Sequence, residues 1–189
     1  MRFFFNRAIR TLLAANAIIL MAGAMLAPIY ALFVDSIGGD LMDASLTGGI
    51  FSLAAGMTSF ISGRYADHIK RKDYVIVLGA CIMSFGFLLM TIVDSIFSLF
   101  IVQAIIGLGE AIYYPPYDAL YSQHIDGHKA ATTWGAWESM DYFITAIGAV
   151  IGGMLASQLG FNSLFISMSA VSLISGVYLY FLPRRILNT

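Results

Sequence analysis

The chain has 189 residues, of which 59% are hydrophobic and 11% charged, and its formal net charge is −1. Soluble domains carry about 25% charged residues, so this composition excludes an ordinary water-soluble fold and points to a lipid bilayer. The net charge says little, but its placement says much. The ten Lys and Arg fall in four short polar places: Arg2, Arg7 and Arg10; Arg64, Lys70, Arg71 and Lys72; Lys129; and Arg184 and Arg185.

Uncharged runs cover 11–34, 44–63, 74–93 and 142–183, and a helix needs about 20 apolar residues to cross. The first predicted span, 9–34, has a basic start and small residues near Ala27 and Ala31, as a signal peptide has. Its uncharged run of 24 residues exceeds the roughly 7–15 of a signal core, so it reads as a retained span. The second, 45–65, runs into the basic stretch at 64–72. The third, 74–93, contains Cys81, the single cysteine. That excludes an internal disulfide or a Cys-based metal site, and Cys81 is expected as a small apolar core residue. The fourth, 95–121, holds Glu110, Asp118 and the pair Pro115-Pro116, which is expected to bend or break it. The last run is 42 residues long and is interrupted at Ser157–Ser163, so it closes a fifth span, 131–157, and contains a sixth, 161–182.

Threaded this way, all ten cations fall on one side, which the positive-inside rule makes the cytoplasm. The outer loops, 35–44, around Asp94 and 157–162, carry Asp35, Asp40, Asp43 and Asp94 and no cation. The expectation is an all-α, multi-pass protein of the plasma (inner) membrane with both termini cytoplasmic. It forms a single six-helix domain over 1–189.

An offset of 90 residues brings Ile61 onto Ile151, Gly63 onto Gly153, Ala66 onto Ala156 and Tyr74 onto Leu164. The repeats are then about 9–93 and about 95–182, three spans each. Three is odd, so the second copy is inverted, a pattern found in transporters whose two halves exchange inward and outward shapes.

The most specific motif is Gly63-Arg64-Tyr65-Ala66-Asp67-His68-Ile69-Lys70-Arg71-Lys72. It resembles the signature loop of the major facilitator superfamily, G-x-L-x-D-R-x-G-R-K, with Gly63, Asp67, Arg71 and Lys72 matching. His68, Lys70 and Tyr65 depart from the pattern. Gly63 permits a close backbone approach, and Asp67 is an anion able to meet a helix N-terminus or a basic side chain. Gln103-Ala104-Ile105-Ile106-Gly107-Leu108-Gly109 is similar to the family's R-x-x-x-G-x-G element, with Gln103 in the place of the arginine linked to proton coupling. Gly148-Ala149-Val150-Ile151-Gly152-Gly153 resembles G-P-x-x-G-G of the antiporter group, with Ala149 in the place of Pro. All these glycines also suit close helix packing. The resemblance covers essentially the whole chain as the N-terminal half of a twelve-span protein. It implies either a half-size member or a fragment, and Thr189 falls where the family's central loop starts.

Polar residues at membrane depth are costly, and each is a functional candidate. Glu110 lies about a turn from the middle of span four. The resemblance puts spans one and four, with parts of two and five, around the central cavity. That makes Glu110 the first candidate for a proton or cation site, accompanied by Gln103, Asn16 and Tyr113, with Tyr114 beside it. Glu138 and Asp141 share one face of span five, next to Trp134 and Trp137. If that span starts later, the acids are interfacial and the tryptophans are interface aromatics. Asn16 also suits a helix–helix hydrogen bond, and Asp118 suits a pairing with Lys129 or Arg71. His124 and His128 lack a third metal ligand nearby. No metal, cofactor or nucleic-acid partner is expected.

A membrane enzyme would need a Ser–His pair, paired Asp or metal ligands at depth, and all three His lie in loops, so no enzyme is expected. A six-span substrate-binding subunit of an energy-coupled uptake system fits the length but leaves Asp67, Arg71 and Lys72 unexplained. A non-transporting membrane protein is the remaining alternative. The leading expectation is an ion-coupled secondary transporter of a small solute, working by alternating access, with protons among the candidate coupling ions. One bundle cannot enclose a path, so a second is implied, as a homodimer or a separate six-span half. The mixture of acids, Tyr and Trp is compatible with cationic or amphipathic solutes and with sugars.

Overall fold

The computed structural model describes residues 5–69 and 71–182. Arg2, Lys70, Arg184, Arg185 and Thr189 lie outside the described residues. Among those described there are only helices, turns and short connections. Helix α1 (Arg7–Leu26) starts at Asn6, whose side chain accepts a hydrogen bond from the Ile9 N–H at 2.7 Å. Such a cap satisfies one of the N–H groups left free at a helix start. A 3₁₀ turn carrying Pro28, Ala27–Ile29, leads into α2 (Tyr30–Ser36), and the whole forms one apolar segment over Arg7–Ser36.

Two acids of the 35–44 connection have a local task. Asp40 and Asp43 form a reciprocal capping box, at 2.9 and 3.0 Å, that opens α3 (Leu41–His68). Helix α4 (Lys72–Leu89) ends in a 3₁₀ turn, Met90–Ile92. Ser95 and Ser98 form a second capping box opening α5 (Ile96–Gln123). Asp126 caps the turn Gly127–Lys129 before α6 (Ala130–Tyr180).

Helix α6 is 51 residues long and departs from helical geometry at Gly160, with φ +79° and ψ 169°. Glycine adopts that conformation without a Cβ penalty, and it lies inside the interruption expected at 157–163. Both stretches of α6 reach α1: a Cβ on Gly152 would overlap Met25, and Ser175 Oγ donates to the Ala15 carbonyl at 2.9 Å. A straight helix rises about 1.5 Å per residue and could not meet α1 at both places. The chain therefore turns at Gly160. Five segments of the described chain are long and apolar enough to cross a membrane.

Packing centres on α5, which α3 and α4 both cover, and on α1 against α6. Contrary to expectation, the proline pair does not break α5, which is helical from Ile96 to Gln123. The Pro115 ring removes the N–H that would reach the Ala111 carbonyl. The Ser62 hydroxyl supplies the missing donor from α3, at 2.5 Å from the Ala111 oxygen. Neighbouring helices commonly rescue backbone groups freed in this way inside membranes. Gly63 packs beside it without crowding, since a Cβ there would lie 3.9 Å from Pro115 Cβ, an ordinary contact.

Cys81 corrects a second expectation. It is exposed on the outer face of α4, while Ala80 and Met83 face the core. Hydropathy places a residue in the membrane but does not say whether lipid or protein covers it. Helix α3 shows the same ambiguity in full, burying only Thr47 and Ala66.

Candidate functional site

A cavity of about 410 Å³ opens between α1, α2, α3, α4, α5 and α6. Its walls are largely apolar, with Phe51, Phe87, Met83 and Met168, and its polar groups are Glu110, Gln103, Tyr30, Tyr114 and Thr145. Glu110 and Tyr114 are four residues apart on α5, and Gln103 is seven before Glu110, so helical periodicity aligns all three on one face. An apolar pocket with a few convergent polar groups is the usual form of a small-molecule site.

The polar groups nearest the 35–44 connection form a chain. Gln103 Nε2 donates to the Tyr30 hydroxyl at 2.8 Å, and Tyr30 donates to Thr47 Oγ1 at 2.6 Å. Thr47 in turn donates within α3, to the Ala44 carbonyl at 2.9 Å. The chain joins α2, α3 and α5, and fixes the orientation of the Gln103 amide.

Of the expected cavity residues, Glu110 and Gln103 line it. Asn16 and Tyr113 do not, being fully buried inside the bundle. Asn16 makes no hydrogen bond among the described residues, so it does not form the helix–helix bond expected of it. Glu138, Asp141 and Trp137 sit on the first stretch of α6, outside the cavity lining, with Glu138 exposed and Asp141 half-buried. Trp134 packs edge-on against Tyr121 at 5.3 Å and against Trp137 at 6.0 Å. These rings continue a column of stacked Tyr113, Tyr117 and Tyr121 along α5, with centroids 5.6 and 6.1 Å apart.

The signature loop is arranged differently from the simplest reading of its charges. Asp67 is exposed. Arg71 pairs with Asp73 at the start of α4, through Nε at 3.0 Å and Nη2 at 2.7 Å, and its guanidinium lies 3.8 Å from the Tyr74 ring centre. The hydrogen bonds to Asp73 push the Arg71 guanidinium above its ordinary value. This is the one ion pair among the described residues, and Asp118 pairs with neither Lys129 nor Arg71. Lys72 is the first residue of α4.

The glycines divide by position. A Cβ on Gly107 would strike the Phe51 carbonyl, one on Gly109 the Met83 backbone, one on Gly148 Ala24, and one on Gly152 Met25. Gly153 faces open space. Close backbone approach therefore occurs at α5–α3, α5–α4 and α6–α1.

Sequence reasoning did not place Tyr30, Thr145, Phe51 or the methionines in the cavity. Tyr114 was accessible to it as the residue one turn from Glu110. The others reach the cavity only through the arrangement of the helices.

Comparison with known proteins adds the following. The family model described as Major Facilitator Superfamily matches residues 12–188. The multidrug resistance protein MdtG of Erwinia billingiae is 22% identical over 183 residues, covering 95% of this chain and 44% of MdtG. The proton-coupled antiporter flippase LtaA of Staphylococcus haemolyticus is 27% identical over 130 residues, covering 67% of this chain and 33% of LtaA. The crystal structure of the POT family transporter PepTSo is similar with a TM-score of 0.74 and 17% identity, over 93% of this chain and 37% of PepTSo. The chain thus spans less than half the length of these proteins.

Proposed function

The chain belongs to the Major Facilitator Superfamily, a family of membrane transporters, with residues 12–188 matching its model, and we propose that it moves a small solute by proton-coupled alternating access. The observation that carries this reading is Glu110 in the cavity, beside Tyr114 and Gln103, with aromatic and Met walls around them. A carboxyl in a low-dielectric site is a natural centre for proton exchange. A ligand cation and a proton would compete for it, and each would favour the shape that holds it better. The walls suit an amphipathic cation, through contact with aromatic faces and with the adaptable Met side chains. The antiporter-like element at 148–153 and the antiporter LtaA among the relatives support exchange rather than cotransport.

We further propose six spans, the turn at Gly160 separating the fifth from the sixth, arranged as two inverted repeats of about 9–93 and about 95–182, with both termini cytoplasmic. A second six-helix bundle completes the path, from another copy or a separate half. It would seat on α3 and the first stretch of α6, which leave large apolar side chains such as Phe60, Tyr142 and Phe143 about 70% exposed. The signature loop, with Gly63, Asp67, Arg71 and Lys72, would govern the rocking of the two bundles.

The test is flux in proteoliposomes containing this chain alone, with ethidium as the probe and an imposed proton gradient. Gradient-driven accumulation is expected by the chain alone where another copy completes the path, and only once the separate half is added where it does not. No flux without an added ATPase partner would instead favour a subunit of an energy-coupled uptake system.

A further inference from the structure

Between α1, α5 and the stretch of α6 after Gly160, three side chains bury polar atoms that find no partner. Asn16, Tyr113 and Ser172 are each 0% exposed. Asn16 Nδ2 and Oδ1, the Tyr113 hydroxyl and Ser172 Oγ all lack a hydrogen bond. None of the three residues lines the Glu110 cavity.

Their neighbours bring them together. Ser175 Oγ donates to the Ala15 carbonyl at 2.9 Å, and the Tyr113 hydroxyl lies beside Ser175, outside hydrogen-bond geometry. The last stretch of α6 runs antiparallel to α1 and α2, since Ser175 meets Ala15 while Phe161 and Phe165 meet Phe33. Asn16 follows Ala15, and Ser172 is one turn before Ser175, so the two stand at neighbouring levels of facing helices. Helical serines commonly return their proton to the preceding turn, and Ser163 and Ser167 do so at 3.0 and 2.8 Å. Ser172 does not, so its hydroxyl is turned away from its own backbone.

Four such atoms clustered in a dry core would be strongly destabilising, and buried polar groups are almost always satisfied by protein or by ordered water. We propose that Asn16, Tyr113 and Ser172 form an internal water-binding site joining α1, α5 and the last stretch of α6. Water matches the donor set, because the Asn16 amide offers both donors and an acceptor and each hydroxyl can act either way. A monovalent cation matches it less well. The cluster has no carboxylate, and a buried charge without a counter-charge costs far more than a buried dipole. A bridging water can also keep its bonds through small displacements of the helices, which a direct side-chain bond would not.

X-ray hydroxyl-radical footprinting of the chain in nanodiscs tests this, because bound water generates the labelling radical where it sits. Tyr117 and Tyr121 are internal controls. Both are also 0% exposed, but their hydroxyls are satisfied by Leu12 at 3.1 Å and Thr133 at 2.8 Å. Tyr113 is expected to label several-fold faster than either, and Ser172→Ala should reduce that excess. Equal labelling of the three tyrosines would overturn the proposal. Thermal denaturation supplies a second reading. A hydrated site predicts that Asn16→Leu lowers Tm, whereas a higher Tm in Asn16→Leu would show the site to be dry. A Tm that rises with sodium but not with choline would assign the site to a cation and also overturn it.

Discussion

Helices α3 and α5 are both 28 residues long and both apolar enough to cross a membrane, yet α3 buries two residues and α5 twelve. The difference lies in what covers them. Helix α5 meets α4 through Gly109, α3 through Gly107 and α1 through the Tyr117 hydroxyl. Helix α3 touches the bundle chiefly along α5 and leaves Leu53, Met57, Phe60 and Ile61 outside. In a bilayer lipid covers such a face as well as protein does, so apolarity gives no bundle position. What marks α5 is its small residues at close approaches and its polar groups directed at partners.

The largest expected effect contrasts glycines of the two helices. Gly109→Leu would force a side chain into the Met83 backbone, and overpacking of this kind costs about 3 kcal/mol or more. Gly56 of α3 faces open space, so Gly56→Leu should stay within about 0.5 kcal/mol. Thermal denaturation in detergent reads both, and similar losses would break the contrast. If α3 seats a second bundle, Gly56→Leu should lower the oligomeric mass in nanodiscs while leaving Tm unchanged.

Next is the serine that serves the proline. Ser62→Ala leaves the Ala111 carbonyl without a donor, at a cost of about 1–3 kcal/mol. Pro115→Ala restores an N–H to α5, so the double variant should lose less than Ser62→Ala alone. Additive losses in the double-variant cycle would show that the Ser62 bond is unrelated to the proline.

A smaller effect is expected at the His68 end of α3. Asp67→Asn should slow transport more than Arg64→Ala, with expression of both unchanged. Normal ethidium flux in both would leave the signature loop with a topological role only. Smallest is Tyr30→Phe, which removes both bonds that the Tyr30 hydroxyl makes in the Gln103–Tyr30–Thr47 chain. It should cost about 1 kcal/mol, and a Tm equal to wild type would show that the chain does not pin α2 to α5.

Much of the fold is readable from residues in order. The interruption at 157–163 contains the Gly160 turn, and the spacing of Asp40 with Asp43 and of Ser95 with Ser98 already carries the cap pattern that starts α3 and α5. Glu110 and Gln103 stand out as polar residues at membrane depth, and both line the cavity. What depends on contact between distant residues is not readable in this way. Nothing near Ser62 announces that it donates to Ala111, nothing near Asn16 that its amide is left without a bond, and nothing near Cys81 that it faces outward. The same holds for Arg71, whose partner is Asp73 in the next helix rather than the Asp67 of its own motif.

The central claim is that Glu110 couples proton movement to solute movement. The direct measurement is ethidium transport by Glu110→Gln in proteoliposomes, read both as accumulation driven by a pH gradient and as downhill exchange at equal pH. Glutamine keeps the size and hydrogen bonding of the side chain and removes its titration. The account predicts that accumulation is lost while exchange continues near the wild-type rate. Undiminished accumulation in Glu110→Gln would contradict it, and would move the coupling acid to Glu138, Asp141 or the second bundle.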